Sequence, residues 1–412
     1  METRYTAFKI IHDVLYKDKY SNMILESYMN NARLSNEDRR LCMNIVMGTL
    51  RNSIYLEYLL TPYIKDISNT KPMLLTILKM GIYQFLFMDK IPSYALVDES
   101  CNIAKKAVSS NSAGFINAVL RNFIRKHKEK EEDKTIPPHI RYSCTIQTYN
   151  AMRTVLNEQQ CVAMLKSFNE PQDTYVTINT HFHDRKTVID NLTDQGYDVS
   201  LTDDTSARIA SSKSPSSSIE YNKGAIIVQD EKAAAIAKML NVKENMKVLD
   251  TCASPGGKTI YIANAMANTG KIIACDIVKS RVSKMKENIN RCRFSNVECL
   301  IKDMTVYDSD FDGEFDRVLI DAPCSGIGVA GKRPEIKLKF ESAESLIRTQ
   351  QALISICSRY VKKGGILVYG TCTVNRMENQ NIVEEFLERN NDYILNEDFT
   401  DKGFYAARII KK

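Results

Sequence analysis

Lys247-Val248-Leu249-Asp250-Thr251-Cys252-Ala253-Ser254-Pro255-Gly256-Gly257-Lys258-Thr259 is the stretch whose reading decides the fold of this chain. A short apolar run closed by an acid passes into a loop with two adjacent glycines and then into helix-forming sequence. This is the pattern of a strand-loop-helix unit, in which glycine lets a ligand approach the backbone. Downstream, Lys271 to Asp276, Val297 to Asp303, Phe315 to Asp321 and Gly365 to Tyr369 read as further strands, and Phe404 to Arg408 as a closing one. Strands alternating with helices from about residue 226 predict a parallel α/β sheet covered on both faces, a Rossmann-like domain over 226–412. Asp276, about twenty residues after the glycines, stands where an acid accepts hydrogen bonds from both hydroxyls of a ribose. Asp303 and Asp321 are read as ending strands at the same carboxyl edge, where ligands of open α/β sheets bind, and Asp303 is placed to meet an adenine amino group. A phosphate loop would need its first glycine where Cys252 stands. The cofactor expected is therefore S-adenosylmethionine rather than a nucleoside triphosphate.

Two further segments, Asp321-Ala322-Pro323-Cys324-Ser325-Gly326 and Gly370-Thr371-Cys372-Thr373, each set a cysteine just past a strand on that edge. C5 of cytosine is too weak a nucleophile to take a methyl group directly, so a thiolate first adds at C6 and pushes electron density to C5. One cysteine suffices for attack, and a second on the neighbouring strand points to the RNA enzymes of this chemistry rather than the DNA enzymes. Small and polar neighbours leave both thiols reachable. Cys42, Cys101, Cys144, Cys161, Cys275, Cys292, Cys299 and Cys357 read instead as structural cysteines. Lys258, at the start of the helix below the loop, points either towards the base or towards Asp321. His181 and His183 are two ligands in a polar segment, and no metal is assigned to them.

The remaining sequence sets the context. With 412 residues and 44% apolar content the chain divides into two or three domains, and its net charge of +6 suits a polyanionic partner without demanding one. Eleven cysteines without a C-x-x-C pair indicate reduced thiols in a cytosol, and the opening Met1-Glu2-Thr3-Arg4-Tyr5 lacks a signal-like apolar region. No apolar run approaches membrane-spanning length, so a cytoplasmic protein without a membrane partner is expected. Residues 1–135 read as an all-α bundle: Met43, Met47, Leu50 and Ile54 recur at helical spacing, as do Phe115, Val119 and Phe123 beside Ile116, Leu120 and Ile124. Ser35 with Asp38 resembles a capping box, and Pro72 suits a first turn. The charged run Lys126 to Lys134 before Pro137-Pro138 predicts a linker. Residues 140–225 then read as a small α+β connector, with one helix over about 147–168 and a strand at Thr174 to Asn179.

These motifs together resemble the bacterial 16S ribosomal RNA cytosine-C5 methyltransferases of the RsmB (Sun) type, within the NOL1/NOP2/Sun family. The resemblance covers nearly the whole chain. It is carried by Cys252 to Thr259, Asp321 to Gly326, Lys332-Arg333-Pro334-Glu335-Ile336 and Gly370 to Thr373. Ala95-Leu96-Val97-Asp98-Glu99 and Phe115-Ile116-Asn117-Ala118-Val119-Leu120-Arg121 resemble the NusB-like RNA-binding bundle of this branch, and Val228-Gln229-Asp230-Glu231 the entry to its catalytic domain. The resemblance implies that Cys372 is the nucleophile, that Cys324 assists product release, and that Asp321, with Lys258, orients the base. It implies that Cys252, Ala253, Ser254, Pro255, Gly256, Gly257 and Lys258, with Asp276, Arg281, Asp303 and Asp321, hold S-adenosylmethionine, and that a monomer acts on 16S ribosomal RNA. Ser254 stands where alanine is usual, Thr373 where serine is usual, and Leu338 where a tryptophan often follows, the last bearing on RNA affinity rather than chemistry. Two other readings stay open. One is cytosine-C5 methylation of transfer RNA. The other is a non-catalytic NusB-like RNA-binding factor that touches phosphates through Arg39, Arg40, Arg51, Lys105, Lys106, Arg121 and Arg125, against which each of these residues is equally an ordinary solvated charge.

Overall fold

A computed structural model describes residues 2–17, 19–31, 34–89, 91–127, 135–211, 213–339, 343–401 and 403–412. The chain divides into two compact units, residues 1–171 with 329–340 and residues 172–328 with 341–412. The charged run expected as a linker lies outside the described residues from 128 to 134. Compactness divides the chain near residue 171 rather than near 135 or 225. Among the described residues no helix is long and apolar enough to cross a membrane.

The first unit is all helical: α1 Glu2–Tyr16, α2 Ser21–Asn31, α3 Asn36–Arg51, α4 Ser53–Leu60, α5 Pro72–Phe87, α6 Ser93–Ala107 and α7 Ser112–His127, then α8 Pro138–Arg141, α9 Ile146–Arg153 and α10 Glu158–Asn169. Ser35 caps α3 by accepting from the Asp38 amide, and Pro72 opens α5, where its missing N–H costs nothing. Leu50, Ile77, Ile116, Leu120 and Phe123 are fully enclosed in one core, each stabilising the fold by about 1.5 to 3 kcal/mol. Met43 faces solvent instead, at 50% exposure, although it shares helical spacing with Leu50. A Cβ on Gly48 would lie 1.9 Å from Tyr83 Cζ, so glycine lets α3 and α5 meet there. The single helix expected over 147–168 is two. Asn157 ends the run by accepting from the Gln160 amide while the Gln160 side chain accepts from the Asn157 amide, which starts α10 afresh.

In the second unit a four-stranded antiparallel sheet, in the order β2-β3-β1-β4, is made by β1 Thr174–Ile178, β2 Asp198–Leu201, β3 Ser206–Ala210 and β4 Ile226–Val228. Helices α11 Arg185–Asp194 and α12 Ile219–Asn222 accompany it. The larger sheet contains β5 Lys247–Asp250, β6 Lys271–Asp276, β7 Val297–Ile301, β8 Phe315–Asp321, β9 Val361–Thr371, β10 Tyr393–Asp401 and β11 Phe404–Lys411. Its order is β10-β11-β9-β8-β5-β6-β7, with β9, β8, β5, β6 and β7 parallel and β11 antiparallel to both neighbours. Around it stand α13 Glu231–Lys238, α14 Gly257–Ala265, α15 Lys279–Arg291, α17 Glu344–Arg359 and α18 Gln380–Arg389, while the short α16, Glu335–Leu338, belongs to the helical unit. The chain leaves β5 towards β6 and β7 on one side and returns to β8 on the other. A crevice therefore opens at the carboxyl ends of β5 and β8, the place where such sheets bind ligands. The mixed sheet is the Rossmann-like domain that the sequence predicts.

The segment 329–340 departs from the expected continuous 226–412 domain. Glu335 is buried and accepts from the amide and hydroxyl of Ser21, at 3.2 and 2.8 Å, at the start of α2. The wholly buried Lys337 ammonium donates to Arg51 O at 2.9 Å and also to Tyr142 O and Asn169 Oδ1, and its burial pushes it down to about 7. Arg51, a phosphate contact only in the alternative RNA-binding reading and otherwise a solvated charge, donates to Gly331 O at 2.9 Å, and burial lowers its pKa. It serves the packing of this unit.

Candidate active site

Parallel pairing aligns the ends of four strands. Asp250 is opposite Ala274 of β6 and Leu319 of β8, and Asp321 is opposite Gly370 of β9. The loops that leave β5, β8 and β9 therefore emerge side by side. In the first, Ala253 N donates to Cys275 O at 2.8 Å and Gly256 N to Ala253 O at 2.7 Å, which folds the loop back on the end of β6. Gly256 has φ +100°, a left-handed conformation that favours glycine, and it caps α14. Asn288 of α15 donates to Pro255 O at 2.9 Å and steadies the turn from the other side.

Acids surround this loop. Asp250 is fully buried. Its Oδ2 accepts from Thr259 Oγ at 2.7 Å, and its Oδ1 has no hydrogen-bond partner among the described residues. Burial, opposed by that hydrogen bond, pushes Asp250 up to about 7, and it was not singled out from the sequence. Ser254 Oγ is likewise enclosed without a partner among the described residues. Asp276 is buried at the end of β6, where it accepts from Val278 N at 3.0 Å and pairs with Arg281 at 3.2 Å. Beside it the apolar Ile277 is 60% exposed. Arg281 also donates to Ser254 O at 3.4 Å, so it touches both the loop and the acid. Asp303 lies two residues beyond the end of β7, correcting the expectation that it ends a strand, and its Oδ1 accepts from Thr305 N and Oγ at 2.9 and 2.6 Å.

Lys258 Nζ meets Asp321 Oδ2 at 2.7 Å, so of the two expected directions it takes the one towards the carboxylate. Burial draws the ammonium down, but the attraction of Asp321, with that of Cys372 and Asp250, leaves it above its ordinary value. Cys324 Sγ lies 3.3 Å from Cys372 Sγ, and the Cys372 amide points at Cys324 Sγ, also at 3.3 Å. The contact with Cys372, burial and the charge of Glu378 together hold the Cys324 thiol well above its ordinary value. His181, by contrast, packs against the rings of Phe182 and Phe294. Such a site joins two touching thiols, a lysine-carboxylate pair and a glycine loop flanked by buried acids, as a cysteine-based transfer to a planar base would need.

Residues 237–407 match the family model described as 16S rRNA methyltransferase RsmB/F, and residues 1–125 match the NusB family. The probable ribosomal RNA small subunit methyltransferase B of Bacillus subtilis is 31% identical over 387 residues, which cover 91% of this chain and 85% of that protein. This chain belongs to the RsmB/F family of 16S rRNA methyltransferases. A second RsmB relative, ribosomal RNA small subunit methyltransferase B of Photorhabdus laumondii, is 28% identical over 428 residues, covering 98% of this chain and 97% of its own. The crystal structure of PH0851 shares the fold over 99% of both chains with a TM-score of 0.82 at 22% identity. NSun6 from Pyrococcus horikoshii with SFG shares it over 65% of this chain and 98% of its own, with a TM-score of 0.58 at 21% identity. As a member of the RsmB/F family, the protein is an S-adenosylmethionine-dependent methyltransferase of ribosomal RNA with a NusB domain.

Proposed function

We propose that the protein methylates C5 of a cytosine in 16S ribosomal RNA, with Cys372 bonding to C6 of the base and Cys324 serving the release of the product. The observation that carries this reading is the 3.3 Å contact between two thiols at the sheet edge that also bears the glycine loop. The Cys372 thiolate adds to C6 of a cytosine extruded from its stack, and electron density moves to C5. Lys258 and Asp321 hold the pyrimidine edge and steady the charge that develops at N3. Bound S-adenosylmethionine supplies the electrophilic methyl group. Loss of the C5 proton then expels Cys372, with Cys324 acting as, or positioning, the base.

The residues present fit that cofactor. The backbone from Cys252 to Lys258 offers a close approach, and the enclosed Asp250 Oδ1 and Ser254 Oγ are polar atoms awaiting a partner. The buried Asp276 would accept from the ribose, Asp303 and Asp321 would complete the acidic edge, and the exposed Ile277 would offer the adenine an apolar face. Arg281 acts through Asp276, whose orientation its ion pair holds. Asp276→Ala is expected to weaken S-adenosylmethionine binding by roughly 1.5 to 3 kcal/mol for each charged hydrogen bond lost, with RNA affinity unchanged. Calorimetry that finds the wild-type affinity in this variant assigns the ribose contact elsewhere.

The reading is tested by incubating the protein with 16S transcript and S-adenosylmethionine and identifying the methylated nucleoside by mass spectrometry. 5-Methylcytidine is expected. Another nucleoside refutes the assignment of the base. Bisulfite sequencing of RNA from a deletion strain should show one protected cytosine lost from 16S RNA, whereas a loss confined to transfer RNA transfers the substrate there.

A further inference from the structure

Glu378 is fully enclosed and carries a carboxylate that receives hydrogen bonds from both thiol loops. Its Oε2 accepts from Ser325 N at 2.8 Å and from Gln350 Nε2 at 3.2 Å. Its Oε1 accepts from Ser325 Oγ at 2.6 Å and from Asn375 Nδ2 at 2.9 Å. Ser325 follows Cys324, and Asn375 lies three residues past Cys372. The Ser325 hydroxyl also touches Thr373 Oγ at 2.9 Å, while Gln350 of α17 donates to Pro323 O at 2.8 Å. Next in sequence, the buried Asn379 donates to Thr373 O at 2.8 Å and accepts from Thr371 Oγ at 2.5 Å. The Glu378 carbonyl is fixed in turn by Tyr369 OH at 2.7 Å. Four donors converge on this buried carboxylate, so each loop depends on it.

We propose that Glu378 is a positioning residue for the thiol pair: by tying the loop after β8 to the loop after β9 through Ser325 and Asn375, it holds Cys324 Sγ against Cys372 Sγ. The proposal rests on the roles given above to the two cysteines. Parallel pairing alone sets the loops side by side, as Asp321 opposite Gly370. It does not set their side chains in contact, because both loops leave the ladder before the cysteines are reached. The contact with Cys372 and burial raise the Cys324 thiol, and the charge of Glu378 adds to both. Glutamine cannot replace glutamate here. Its NH2 group meets either Asn375 Nδ2 on one side or Ser325 N and Gln350 Nε2 on the other, so each orientation sets it against at least one donor.

The test reads the sulfur contact directly. Diamide takes two electrons and two protons from a pair of thiols as their S–S bond forms, and peptide mapping follows the Cys324–Cys372 product. In Glu378→Gln, closure of that disulfide is expected to slow at least tenfold, on the order of what a misplacement of about 1 Å costs, and kcat to fall about 100-fold. KM for RNA and the affinity for S-adenosylmethionine are expected to stay at wild-type values, which a general loss of structure would not leave intact. Ser325→Ala removes one donor without burying a new group, and should shift both rates the same way by roughly three- to tenfold. It decides the matter if Glu378→Gln fails to fold. Wild-type closure and turnover in Glu378→Gln, or in Ser325→Ala where the former does not fold, overturn the proposal. Failure of the underlying reading has a different mark: Cys372→Ala would then remain active whatever Glu378 does.

Discussion

Cys372→Ala is expected to abolish methyl transfer while S-adenosylmethionine still binds. The loss should be on the order of 10⁴-fold or more, the scale on which removal of a catalytic nucleophile acts. The reason is chemical. Without addition at C6 the ring keeps its aromatic character, and C5 has no electron pair to offer a methyl electrophile, however well the two are held together. The residues proposed to hold the cofactor, the glycine loop and Asp276, do not include Cys372. Filter binding with labelled S-adenosylmethionine and transfer of label to RNA separate the two properties. Transfer near the wild-type rate in this variant would end the assignment of Cys372.

Cys324→Ala is expected to do the opposite of what loss of a nucleophile does, and to trap the enzyme on its RNA. In this variant Cys372 still adds to C6 and the methyl group is still transferred, but the C5 proton leaves slowly. The Cys372 bond to the base therefore persists. Loss of a general base slows its step by about 10² to 10⁴-fold, long enough for a protein-RNA adduct to survive denaturing electrophoresis. The geometry favours this order of events, because Cys324 touches Cys372 at 3.3 Å and so stands beside the base once Cys372 has bonded to C6. The adduct should vanish when Cys372→Ala is added, since no sulfur then remains to bond C6. A Cys324→Ala protein that is inactive and forms no adduct places Cys324 in binding or in the attack itself.

Most of the sheet is legible locally. An apolar run ending in an acid, two glycines and helix-forming sequence suffice for β5 and α14, and repetition of that pattern suffices for the parallel sheet. The cofactor loop, Asp276 and both cysteines follow, because each is marked by its place at the end of such a run. β10 escapes the same reading. It is an edge strand whose residues Leu395 to Asp398 are all exposed, so no alternation marks it, and only its pairing with β11 makes it a strand. Asp303 looks like the end of β7 because a periodic pattern does not say where a ladder stops, and the turn built on Thr305 begins first.

Neighbours along the chain thus suffice for the helical and Rossmann-like architecture and for setting the acids and the two cysteines at the carboxyl ends of the strands. Tertiary structure decided which of those groups touch. Cys324 and Cys372 are 48 residues apart and meet because β8 and β9 pair in parallel and Glu378 clasps the loops beyond them. Residues 329–340 follow the catalytic motif in sequence yet fold with the helices, because Lys337 and Glu335 find their hydrogen-bonding partners there. Arg51 looks like a phosphate contact and is packing, for the same reason. A buried charge goes where its partners are, and partners far away in sequence leave no trace in local periodicity.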